Sequence, residues 1–146
     1  EIGVRLVGSE MCIRDSTQDR MTPNRDGELI PFAVAAGAEI FMGAQVAVNA
    51  SGMLVPGSEA TGLTYIGRAE EHVDNSGGAD GDAFVRVRRG QAFLWQNSGT
   101  DPVGQDLVGK NCFILDDETV AGTDGAGTRS ASGKVLAVES GGVWVE

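Results

Sequence analysis

Hydrophobic residues recur at every second position in short runs separated by glycine, which is the period of a strand whose two faces differ. Ile30, Phe32 and Val34 fall on one face of the first such run, and Ala44, Val46 and Val48 on one face of the next. Asn49-Ala50-Ser51-Gly52 then predicts a turn, and Met53 to Val55 a return strand ended by Pro56-Gly57. Leu63 to Glu70 is a further candidate strand. After the turn-rich loop Asp74 to Asp82 (DNSGGADGD), Val85 and Val87 alternate with Phe84, Arg86 and Arg88. Gln91 to Gln96, Cys112 to Leu115, and Val120 with Ala121 extend the series. Lys134 to Val138 and Val143 to Val145, joined by Ser140-Gly141-Gly142, predict a hairpin.

No stretch of a dozen residues keeps the i, i+3, i+4, i+7 spacing of a helix. One short helical turn is expected around Pro102 to Val108, with Asp101 as its N-cap and Pro102 as its first residue. The expected fold class is therefore all-β: a small sandwich or barrel of short antiparallel strands with Gly-rich turns and at most one short helix. An extended polar arm, TQDRMTPNRDGE (Thr17 to Glu28), precedes it. This divides the chain into a loose N-terminal segment, 1–28, and a single β domain, 29–146, without internal repeats.

Composition agrees with that reading and adds a constraint on partners. The 146 residues include 22 glycines and four prolines, a balance suited to many tight turns. Aromatics are only 5%, so the core must rest on aliphatic side chains. The net charge of −10 repels phosphate, which argues against nucleic acid and anionic lipid as partners. The most apolar run, Phe32 to Ala38, is far too short to span a bilayer. No secretory signal is recognised, and two cysteines, Cys12 and Cys112, make no disulfide framework, so a reducing compartment is expected.

Glu1 to Ser16, EIGVRLVGSEMCIRDS, resembles sequencing-adapter DNA translated in frame, although Ile2, Val4 and Leu6 alternate like a strand. Setting it aside removes Arg5 and Arg14 against Glu1, Glu10 and Asp15, so the charge moves only from −10 to −9. Cys12 falls away with it.

Candidate chemistry is sparse. Gly104 to Asn111, GQDLVGKN, matches a phosphate loop up to Lys110 but has Asn111 where a metal-binding Ser or Thr is needed, and it runs into CFIL, a strand. Asp74, Ser76, Asp80 and Asp82 are possible Ca²⁺ ligands, yet Gly78 and Ala79 break the EF-hand pattern, and a solvated turn is the better account. Asp116-Asp117-Glu118 reads as a hairpin tip. His72 is the only histidine and has no nucleophile elbow to serve. Cys112 sits in an apolar run and is expected to pack as a small hydrophobe. One His and one such Cys are too few for zinc. The Asn49-Ala50-Ser51 sequon carries no weight without a secretory signal. No catalytic, cofactor or metal residue is assigned, and the chain is not expected to be an enzyme. Against the acidic background, Arg86, Arg88 and Arg89 form a basic cluster, read either as a face balanced by nearby carboxylates or as an anchor on a protein partner. Trp95 and Trp144 are core residues or interface anchors; Arg86, Arg88, Arg89 and Trp95 make up the candidate interface.

Taken in order, the polar arm, GAQVAVNASGMLVPGS, IGRAEEHVDNSGGADGD with VRVRRG, the segment NSGTDPVGQDLVGKNCFILDDETVAGTDGAGTRSASGKV and the terminal GVWVE resemble the phage capsid cement, or head-decoration, proteins. The resemblance covers Thr17 to Glu146 and rests on the ordered set, since no piece is a catalytic signature. It implies a small β-rich subunit, often trimeric, on the outside of an expanded icosahedral shell. There it would bridge neighbouring major-capsid subunits against internal pressure. The expected location is the virion exterior after synthesis in the bacterial host cytoplasm. Another virion β-domain, associated with tail or fibre, and a non-catalytic carbohydrate- or protein-binding module are the alternatives. A sugar site would call for a concave surface lined by aromatics, and Tyr65 is the only tyrosine.

Overall fold

The computed structural model describes residues 18–146. The adapter-like leader, with Cys12 and the Ile2, Val4, Leu6 alternation, lies outside the described residues. Residues 18–28 are exposed and carry no strand or helix. From Leu29 onward the fold is all-β, as the alternation requires. The first half comprises β1 (Leu29–Ala33), β2 (Glu39–Ile40), β3 (Gln45–Val48), β4 (Leu54–Pro56), β5 (Thr64–Ala69), β6 (Val73–Asp74) and β7 (Phe84–Arg88). The second comprises β8 (Phe93–Asn97), β9 (Asn111–Ile114), β10 (Thr119–Ala121), β11 (Ala131–Glu139) and β12 (Gly142–Val145).

Five strands of the first half form an antiparallel sheet in the order β1-β7-β5-β3-β4. Both outer strands carry a proline, Pro31 and Pro56, which cannot donate to a further strand and so belongs at an edge. The sheet curls until its edges touch: Val34 forms a parallel bridge with Leu54, whose carbonyl accepts the Ala35 N–H at 2.9 Å. Val34, Ile40, Val46, Leu54, Val85 and Val87 fill the concave side and are fully buried. β2 and β6 pair as a separate two-stranded ribbon against this core.

The second half closes into a five-stranded barrel, β10-β8-β12-β11-β9. The hairpin expected from Lys134 to Val145 is there as β11 and β12, and the one parallel pairing within the barrel joins β8 to β10. Phe93, Trp95, Cys112, Val120, Val135 and Val143 pack its interior. Each buried valine removes enough apolar surface from water to favour folding by roughly 1.5–3 kcal/mol. Two glycines mark where strands run too close for a side chain. A Cβ on Gly67 would collide with the Arg88 carbonyl across β5 and β7, and one on Gly142 with the Trp95 carbonyl across β12 and β8.

A buried amide lies at the centre of the junction between the two halves. Gln45, fully buried, donates from Nε2 to the carbonyls of Asp116 at 2.9 Å and Thr119 at 3.3 Å, and its Oε1 accepts the Ser132 hydroxyl at 2.7 Å. A buried polar group is tolerated only when its partners are supplied, and here the barrel supplies them to a sheet residue. Ser130 adds a second tie, donating to the Ala60 carbonyl at 2.7 Å and accepting the Leu63 N–H at 2.9 Å.

The helical turn is shorter and later than expected, a 3₁₀ turn at Gln105–Leu107 preceded by Gly104 with no side-chain cap. Asp101 is not its N-cap. Its Oδ2 instead accepts the Thr123 hydroxyl at 2.6 Å and Arg129 Nη1 at 2.7 Å, pinning the loop after β10 to the one before the turn. A carboxylate that meets a guanidinium gains more than it would from one backbone N–H.

Candidate interaction surface

β7 fixes the candidate arginines by burying every other residue. Val85 and Val87 are fully inside the sheet, so Phe84, Arg86 and Arg88 project from its opposite face. Arg86 donates from both its backbone N–H and its Nε to Glu71 Oε2, each at 3.0 Å. Arg88 Nε lies 3.4 Å from Glu70 Oε1. Arg68, opposite Arg88 on β5, donates from Nε and Nη2 to Glu70 Oε2 at 2.9 and 2.8 Å, and its guanidinium lies 4.9 Å from the Phe93 ring centroid. Arg89, just past β7, is exposed and makes no ion pair among the described residues. The carboxylates expected to balance the cluster are therefore Glu70 and Glu71. Burial works against the charge on Glu70, but the hydrogen bonds from Arg68 and Arg88 outweigh it and hold the carboxyl below its ordinary value. The backbone and side-chain bonds from Arg86 lower Glu71 in the same direction. Exposed pairs of this kind add little stability. What they do is hold planar donor forks in place.

Trp95 does not join the arginines. It is 4% exposed inside the barrel, where its indole N–H donates to the Tyr65 hydroxyl at 3.3 Å, so its assignment to an interface is corrected to core. Inward alternation on β8 places it there, with Phe93 beside it and Leu94 between them pointing out. Burial, partly offset by the Trp95 bond, pushes the Tyr65 phenol up to about 12. Cys112 is buried as expected, and desolvation pushes its thiol up to about 11, so it stays a neutral hydrophobe.

Each acidic loop has a structural use. Asp74 Oδ1 accepts the Ser76 N–H, Asp80 Oδ1 the Ala36 N–H, and Asp82 Oδ2 the Ala79 N–H, so the Asp74 to Asp82 loop is a set of carboxylate-capped turns. Among the described residues no three His, Cys, Asp or Glu side chains converge as a metal site. His72 Nε2 lies 2.8 Å from Glu39 Oε2, and its ring stacks on Phe41 at 4.8 Å.

Sequence reasoning passed over the exposed apolar side chains. Phe84 is 59% exposed beside Arg86, and Phe41 and Met42 are 53% and 72% exposed in the turn before β3. Leu94, 44% exposed, faces out from the barrel next to the half-buried Trp144. The Phe41–Met42 signal was present: two large apolar residues directly before a glycine, outside any alternating run. No protein-family model matches the chain, nor does any curated protein or solved structure.

Proposed function

We propose that this protein is a decoration subunit of a tailed-phage capsid, binding the outer surface of the major capsid protein, self-associating as a small ring of three, and stabilising the mature shell. The carrying observation is β7: a strand locked by two fully buried valines that presents Phe84 and Arg86 outward, with an exposed polar segment, residues 18–28, departing from its Arg88 end. That segment enters the edge strand β1, and the Glu28 carbonyl accepts the Arg89 N–H at 2.8 Å, so the arm leaves the fold at the Arg88–Arg89 end of the arginine strand. Aromatic and arginine side chains are enriched where proteins meet proteins, and a rigid strand presents them without a large ordering cost. The ordered resemblance over Thr17 to Glu146 supports the same reading. A subunit that binds only the expanded lattice stabilises it by mass action, and many weak copies add up.

The test is titration of purified protein onto expanded heads stripped of decoration, followed by sedimentation and quantification against the major capsid protein. Occupancy saturates at a fixed ratio, the heads withstand more heat before releasing DNA, and unexpanded shells bind none. Arg86→Glu combined with Arg89→Glu, at the exposed cation of the strand and the exposed one just past it, lowers occupancy. Failure to bind heads overturns the proposal, and unchanged occupancy of the variant removes the arginines from the contact.

A further inference from the structure

A second surface lies where the sheet meets the barrel. Met42 and Gly43 sit between two shallow hollows. One is bounded by Arg68 and Glu70, the other by Phe41, Asp117 and Glu118. A third hollow continues from Gly43 and Arg68 onto the barrel, reaching Leu94 and Trp144. The outcome is an apolar centre with flanks of opposite charge. On one flank two guanidiniums, Arg68 and Arg88, share one carboxylate, Glu70, which leaves it cationic. On the other, the turn Asp116-Asp117-Glu118 carries three carboxylates with no ion pair among the described residues.

We infer that this face binds a second copy of the chain, the Asp117–Glu118 tip of one molecule seating on the Arg68 flank of its neighbour while Met42 and Leu94 are covered between them. Three arguments select that occupant. At a net charge of −10, two copies meeting at a random face bring carboxylates together, and this flank is one of the few places where they would not. The acidic tip and the basic flank border the same apolar centre, so the surface complements itself without a foreign partner. Because both halves lie on one face, two copies satisfy each other across a two-fold axis, the tip of each on the flank of the other, and the contact closes at a pair. The turn is also stiff enough to act as a plug: Glu118 N–H donates to Asp116 Oδ1 at 2.9 Å, and Gln45 holds the Asp116 carbonyl from beneath. The inference goes beyond the proposed ring of three, adding a two-fold contact between copies, and it does not depend on capsid binding.

Sedimentation of the isolated protein across a concentration series tests it. The chain self-associates, and raising salt from about 0.1 M toward about 1 M weakens the association, because the screening length falls from about 10 Å to about 3 Å. Arg68→Glu alone and Asp117→Lys with Glu118→Lys alone each weaken association about ten-fold or more, since like charges then face each other. A mixture of the two variants recovers association that neither has by itself. Met42→Asp, at an exposed turn position outside both core clusters, weakens association with an unchanged circular-dichroism spectrum and serves if a charge variant fails to fold. A monomeric wild type, or charge variants that each associate as wild type does, overturns the inference. So does a mixture that stays monomeric although both variants fold. A monomer that still decorates heads sinks this inference alone. An oligomer that ignores heads sinks the capsid reading and leaves this one standing.

Discussion

The two halves of the molecule solve the same problem differently. The barrel, β8 to β12, gives every strand two neighbours, so no backbone edge is left to pair with another chain. The sheet of the first half ends in two proline-bearing edges that meet at one bridge, and that half carries the exposed Phe41, Met42 and Phe84 together with the arginines of β5 and β7. The lesson is a division of labour. Closure leaves the barrel no backbone edge, so it contributes through side chains, Leu94 and the Asp117–Glu118 tip, while the sheet half, tied to it through Gln45, presents the arginine strand and Phe84. The features argued to touch partners lie on the sheet or at its seam with the barrel.

That contrast can be broken at several points. The largest expected effect is Trp95→Ala, which empties the centre of the barrel and orphans the Tyr65 hydroxyl. A loss of about 4 kcal/mol is expected in chemical denaturation. Next is Gln45→Ala, which leaves the Asp116 carbonyl and the Ser132 hydroxyl without their partner and should cost about 2–3 kcal/mol. If Gln45 couples the halves, its loss splits one unfolding transition into two. A single transition at the wild-type midpoint would show that it does not couple them. Gly67→Ala drives a methyl into the Arg88 carbonyl and should cost about 1–3 kcal/mol, with hydrogen exchange rising in β5 and β7 and the barrel unaffected.

Acid should act more gently. Asp101 is held below its ordinary value of 3.8 by the Thr123 hydroxyl first, against a smaller burial effect, with Arg129 adding to the shift, and Glu70 likewise stays below its ordinary 4.5. Both carboxyls bind protons more readily in the unfolded chain. Their contribution is thus complete above the ordinary carboxylate values and is lost as pH falls through the lower folded values. The melting temperature should hold steady from neutral pH to about 5 and decline below about 4. Asp101→Asn should flatten part of that decline. A melting temperature constant down to about pH 3 would show that these contacts do not matter to folding.

The parts of this organisation that were legible in the sequence are those set by neighbours along the chain. Alternation plus turn residues placed the hairpins β3–β4 and β11–β12, and Val85 and Val87 told which way Arg86 would point. The closure of β8 onto β10, some twenty residues apart and parallel, leaves no local trace, because register between distant strands is decided by packing rather than by pattern. Asp101 looked like a cap because it precedes Pro102, and its bond to Arg129 depends on a loop 28 residues away. Trp95 alternates with Leu94, so its direction was readable in principle. What could not be read was which face of β8 the barrel would enclose. The ion pairs that order the arginines likewise needed the return of Glu70 and Glu71 to the neighbouring strand.

The most direct test of the central claim is hydrogen exchange measured residue by residue on the protein free and bound to expanded heads. Binding should slow exchange in residues 18–33 and 84–89, the arm and the arginine strand, and leave the barrel strands β9 to β11 as they were. Slowing confined to the barrel, or no retention on the heads at all, would contradict the account.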